Sequence, residues 1–207
     1  NWKESSSGIF TLDPQSYKFD VTMVESLLDY AYTGRLSIST AHVQNLMMAA
    51  DCWGIESIMD ECDEFMRRRI RYEDALPLFN FYKCIGYTKF SELLRFIDTN
   101  FIPISLTSDF VDLSIDDLSM ILKRNSLNVD DEKQVFESID RWIGREEGRK
   151  EFGPRLFKLV RCPRISSSFR TDVIMKKEWV MDNPECVEVM KEAEEIRLRE
   201  MQGEKKS

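Results

Sequence analysis

The sequence predicts a mostly helical fold, and three observations carry that reading. Apolar residues recur at three- and four-residue intervals along most of the chain. Glycine or proline closes most of those runs, and only two short stretches near the start alternate like strands. With 43% hydrophobic residues among 207, the chain has enough apolar material for a sizeable core.

The elements follow in order. Gly8 to Leu12 reads as a short strand ended by the Asp13-Pro14 turn. Apolar residues at 21, 24, 27 and 28 predict a helix whose last turn carries Tyr30 and Tyr32, with Gly34 as a left-handed cap. Tyr30 lies three residues beyond Leu27 and extends the apolar stripe, so it is the core residue of the pair. Tyr32 either covers the helix end or is read by a partner. Leu36, Ser37 and Ile38 read as a very short strand, and Ser39 or Thr40 as the cap of a helix over 40–52 closed by Gly54.

Further stripes follow at Ile55, Ile58, Met59, Cys62, Phe65, Met66 and Ile70, and then at Ala75, Leu76, Phe79 and Tyr82, closing at Gly86. The next, Phe90 to Phe101, is expected to stop at Pro103, and Ser114 caps a short helix with Asp117 in the capping-box position. Asp130 is the expected cap of a helix with core face Val135, Phe136, Ile139, Trp142 and Ile143. Pro154 opens a helix carrying Leu156, Phe157 and Val160 that Pro163 ends, another runs from Ser167 to Met175, and Asn183-Pro184 opens the last. That last helix sets Cys186, Val189, Met190, Ala193 and Ile196 on one side.

The formal charge of -8 argues against nucleic acid as a partner, because an acidic surface repels phosphate backbones. The one basic cluster, Arg67 to Arg69 with Arg71, is read as a solvated helix end that complements the dipole. Five widely spaced cysteines, with no apolar run near about 18 residues, fit no membrane span and a reducing compartment, cytosol or nucleus. The chain begins at Asn1 and is expected to be a piece of a longer one.

Little in the residues points to catalysis, a cofactor or a metal. The lone histidine, His42, has Cys52 and Cys62 ten residues apart on separate stripes, and no cysteine–histidine pair has zinc spacing. No glycine-rich phosphate loop is present, and the acidic pairs read as caps and solvated faces. The residues alone describe a helical interaction domain, with thiol chemistry as a distant third class.

"LLDYAYTGRLSIS" followed by "VQNLMMAADCWGIESIMDECDEFM" resembles the second half of a BTB domain. "SLNVDDEKQVFESIDRWI" and "LFKLVRCPRIS" resemble the BACK domain of kelch-like proteins, and "DNPECVEVMKEA" the linker helix after it. The resemblance implies the C-terminal part of an α/β BTB domain over 1–72, an all-helical BACK domain of stacked helix pairs over 73–181, and a linker helix and polar tail over 182–207. It also implies a non-catalytic substrate-receptor subunit that recruits the cullin-3 scaffold of a ubiquitin ligase. In the family a hydrophobic-x-Glu triplet makes that contact, and the matching residues are Trp2, Lys3 and Glu4. Tyr32 matches the position beside the scaffold helix, and Phe81 is the expected contact from the first BACK helix pair. A homodimer through the other half of the BTB domain, and a protein substrate held by a region outside this chain, are further implications. The competing reading is a BTB–BACK scaffold for cytoskeletal or transcriptional partners that engages no cullin.

Overall fold

The computed structural model describes residues 21–204, mostly helical with no strand among the described residues. The expected strand at Gly8 to Leu12 and the triplet Trp2, Lys3 and Glu4 lie outside them. The chain divides into two compact units, one up to Ile70 and the other from Arg71 onward.

The first unit holds α1 (Val21–Thr33), α2 (Val43–Trp53) and α3 (Glu56–Arg67). α2 and α3 form a hairpin, and α1 packs on α2. Met23 and Leu27 of α1, Leu46 and Met47 of α2, and Ile58, Met59 and Cys62 of α3 are buried. The α3 face is the one that the apolar spacing assigned, but of the four apolar positions that predicted α1 only Leu27 is buried, and Val21 and Leu28 are exposed. Gly54 takes the left-handed conformation (φ 69°), and the amides of Gly54 and Ile55 close the helix on the Asp51 and Ala50 carbonyls at 3.1 and 2.8 Å. The basic end of α3 is self-compensating: Arg67 pairs with Asp63 at 2.8 Å, Arg68 pairs with Glu64 at 2.5 Å, and Arg69 lies 4.0 Å over the Phe65 ring.

Two expectations for this unit need correction. Leu36 to Ile38 is irregular rather than a strand, and alternation alone makes no strand where, among the described residues, no hydrogen-bonded neighbour lies beside it. α2 starts at Val43 rather than near residue 40. The Ser39 carbonyl accepts the amides of His42 (3.2 Å) and Val43 (3.0 Å), making a turn before the helix, and no side chain caps it.

The second unit begins with α4 (Tyr72–Cys84), α5 (Ser91–Thr99), α6 (Phe101–Ser105), α7 (Ser108–Val111) and α8 (Ile115–Leu122). α9 (Glu132–Ile143) follows, then α10 (Gly153–Phe157), α11 (Ser167–Asp172), α12 (Glu178–Met181) and α13 (Pro184–Glu204), with 3₁₀ turns between. α4 packs against α5, α6 and α7, whereas α9 packs against α7 and α10, and α13 against α10 and α12. All five residues of the expected α9 core face are buried.

α9 also ties down earlier segments. Arg141 donates to the Ser105 carbonyl, Trp142 Nε1 to that of Leu113 (2.9 Å), and Arg149, just beyond the helix, to that of Val111 (2.5 Å). These are carbonyls at or near the ends of α6 and α7, helices too short to stand alone.

Several boundaries differ from expectation. The break after α5 falls at Asn100 (φ -112°, ψ 29°), whose side-chain amide donates to the Phe96 carbonyl at 2.9 Å. Pro103 sits inside α6 at its third position, where an amide has no intrahelical acceptor to lose. α9 is capped by Asp131, not Asp130: its carboxylate accepts the Lys133 amide at 2.9 Å, and Gln134 Oε1 accepts the Asp131 amide at 3.3 Å. α10 ends at Phe157 and leaves Val160 outside, and Pro163 lies in a 3₁₀ turn. α11 stops at Asp172, short of Met175. On α13 the apolar side thins: Cys186 and Ala193 are buried, but Ile196 is exposed. Ser114 does cap α8, accepting the Asp117 amide at 3.1 Å, while Asp117 takes the Ser114 hydroxyl at 2.6 Å and the Lys83 ammonium.

Candidate protein-binding site

α1 presents two unlike faces. Met23 and Leu27 face the core, and the Tyr30 hydroxyl donates to Ser57 Oγ of α3 at 3.0 Å, which fixes the helix on the first unit. On the other side Val21, Leu28 and Tyr32 are 69%, 48% and 87% exposed. At 100° per residue these three fall within about 40° of one another, a single apolar stripe. Glu25 and Asp29, both exposed, stand on and beside it.

The helix exit is held rigidly. The Gly34 amide donates to the Tyr30 carbonyl at 2.8 Å with φ 68°, a conformation that a side chain would strain. Thr33 Oγ1 donates to the Asp29 carbonyl at 2.6 Å and accepts the Arg35 amide at 3.2 Å. Tyr32 thus stands on a fixed backbone with its ring in solvent, and a phenol of that kind suits a partly wet interface.

In the second unit, Asp74 Oδ2 accepts both the Arg71 amide at 3.3 Å and the Arg71 guanidinium Nε at 3.2 Å, which closes the first turn of α4. Ala75, Leu76, Phe79 and Tyr82 fill its buried face. Phe81 is half-buried, its ring 5.9 Å from that of Tyr82, so it offers an edge rather than a free face. The ring that α4 exposes most is Tyr72, at 45%. Sequence spacing passed over it because it precedes the stripe. Its place on the first turn, just after Arg71, was the available signal.

His42 lines a small cleft of about 120 Å³ with Ser26, Ser37 and Ser39, and no cysteine lines it. Burial pushes the thiols of Cys62 and Cys162 up to about 12 and that of Cys186 to about 11, from an ordinary 9.0. Cys52 and Cys84 are exposed. At pH 8, iodoacetamide is therefore expected to label Cys52 and Cys84 in the folded chain and the other three only after denaturation, as read by peptide mass spectrometry. Labelling of Cys162 as fast as Cys52 would contradict this. The linked effect has a definite sign. The buried thiols ionise later in the folded chain than in the unfolded one, so their contribution is complete below about pH 9 and is lost progressively toward pH 12.

Among the described residues no group of three or more His, Cys, Asp or Glu could hold a metal ion, and no helix is long and apolar enough to cross a membrane.

Comparison with known proteins agrees with this geometry. Residues 7–70 match the BTB/POZ domain model, and residues 76–175 match the model of BACK, "BTB And C-terminal Kelch". The chain is 27% identical to rat Kelch-like protein 7 over 170 residues, which is 81% of this chain and 29% of that protein. It is 30% identical to human Kelch-like protein 40 over 193 residues, covering 89% of this chain and 31% of the relative. Human Kelch repeat and BTB domain-containing protein 8 is 32% identical over 149 residues, 70% of this chain and 25% of its own length. The chain therefore spans less than a third of the length of these relatives. Its two matched domains, in this order and with this helical architecture, make it a BTB–BACK region of the kelch-like family.

Proposed function

We propose that this chain is the scaffold-binding part of a substrate-receptor subunit of a cullin-3 ubiquitin ligase, working in the cytoplasm or nucleus by binding and not by bond chemistry. The observation that carries the reading is Tyr32: a ring 87% exposed on a rigid helix exit, aligned with Leu28 and Val21, at the position where family resemblance puts the scaffold helix. Trp2, Lys3 and Glu4 would add a large apolar anchor and a carboxylate for charge pairing, the anatomy of a small hot spot. Phe81, and Tyr72 at the start of α4, are the proposed BACK contacts. A substrate would be held by a region outside this chain, and a second copy would join through BTB elements outside it.

The test is capture of purified cullin-3 N-terminal domain by the chain and its variants. Trp2→Ala with Glu4→Lys, and separately Tyr32→Ala, should each weaken capture more than tenfold, as loss of a hot spot of about 2 kcal/mol requires. Circular dichroism should be unchanged. Equal capture by the folded variants would remove these residues from the interface. Recovery of other proteins from extract with no cullin-3 would favour the scaffold reading instead.

A further inference from the structure

Ser166, Ser167 and Ser168 are all exposed, but only one of them is surrounded by cations. Ser166 Oγ accepts the Phe169 amide at 3.3 Å, and Ser168 Oγ lies 3.3 Å from Ser166 Oγ. Ser167 Oγ instead accepts from two guanidinium groups, Arg170 Nη2 at 3.3 Å and Arg197 Nη1 of α13 at 2.5 Å. Arg170 is 3% exposed and is further fixed by the Cys162 carbonyl at 3.3 Å and by the Glu194 carboxylate. Among the described residues Arg197 has no carboxylate partner, so its charge is spent on a neutral hydroxyl. Ser167 and Arg170 also line a groove of about 420 Å³, which leaves room for a larger group on that oxygen.

We propose that Ser167 is a phosphorylation site and that Arg170 and Arg197 are its receptor. Exposed Arg164 stands three residues before Ser167, a basic signal that a kinase with an acidic substrate groove can read, whereas Pro163 and Ile165 hold that position for Ser166 and Ser168. α11 has only six residues and opens locally at low cost, which gives such a kinase access. In the reaction Ser167 Oγ forms a bond to the γ-phosphorus of Mg-bound ATP, the bond from that phosphorus to the bridging oxygen breaks, ADP leaves, and the hydroxyl proton passes to the kinase's catalytic base. The product carries a charge of about -1.5 to -2 and three strong acceptors between two guanidinium groups. Glu194 opposes it with one negative charge, which the two arginines outweigh. The phosphate then clamps α13 to α11 and fixes the direction in which the last helix leaves the second unit.

Phosphoserine placed at position 167 of the full chain by codon suppression tests the receptor, and a basophilic serine kinase with ATP tests access. The modified chain should melt about 3 °C higher, with amide exchange near Arg197 about tenfold slower. Arg197→Gln should abolish both gains, and phosphoserine at 168 should produce neither. No rise, a fall, or a rise that survives Arg197→Gln would overturn the receptor. Kinase labelling confined to Ser166 or Ser168, or absent altogether, would overturn the site. Because the readouts are melting and exchange, these results stand apart from whether the chain binds cullin-3.

Discussion

Phe136→Ala is expected to lower the stability of the second unit by about 4 kcal/mol, the middle of the range for a large buried ring. Phe136 is fully buried and meets Phe157 and Phe169 edge-on at 6.0 and 6.1 Å, with Trp179 stacked on it at 5.7 Å. The neighbours cannot collapse into the space. Trp179 is fixed by its indole N–H on Asp140 Oδ1 at 2.9 Å, and a Cβ added at Gly153 would already approach that indole to 2.8 Å. The cavity therefore stays open, and its cost adds to the lost transfer energy. Urea denaturation followed by tryptophan fluorescence should show the full drop for Phe136→Ala and less than half of it for Phe136→Leu. A loss below about 1 kcal/mol, small for any core truncation, would mean that the site repacks.

Arg124→Met should cost about 3 kcal/mol for a different reason. Asp98 is 2% exposed, and both of its oxygens are taken by Arg124, at 2.7 and 2.8 Å, with Ser126 Oγ adding a third bond at 2.6 Å. The hydrogen bond that Arg124 donates to the Asp98 carboxylate, set against a smaller desolvation effect, holds the guanidinium above its ordinary pKa. Methionine keeps the aliphatic length but strands a buried carboxylate with one hydroxyl for company. The loop also hangs on this point, since the Asn128 amide donates to the Asp98 carbonyl at 2.9 Å. Asp98→Leu combined with Arg124→Met should recover at least half of the loss, because an apolar pair leaves no charge unpaired. If the double variant is no better than Arg124→Met alone, packing rather than charge dominates here.

The core faces of α3, α4 and α9 were legible because a helix declares its buried side through a local period. Val135, Phe136, Ile139, Trp142 and Ile143 need no distant information to be placed together. Gly34, Gly54 and Gly86 were legible as left-handed stops for the same local reason, with φ of 68°, 69° and 68°. Spacing failed where the deciding partner lies elsewhere in the chain. Leu36 to Ile38 alternates but has no strand beside it among the described residues. Pro103 reads as a stop, although the break three residues earlier at Asn100 turns it into part of a first turn. Spacing grouped Val21 and Leu28 with Leu27, yet only Leu27 is buried, and the other two join Tyr32 on the exposed side of α1. That Phe81 is half-buried depends on tertiary neighbours, and no period encodes those.

The reach of α9 across the second unit sets the order in which this chain can mature on the ribosome. The carbonyls of Ser105, Val111 and Leu113 find their side-chain donors 36, 38 and 29 residues further along. Helices of four and five residues such as α7 and α6 cannot persist alone. At about 5–20 residues per second, those segments emerge several seconds before the residues that stabilise them. During that interval Phe101, Ile104 and Phe110, all buried in the finished unit, are available to chaperones.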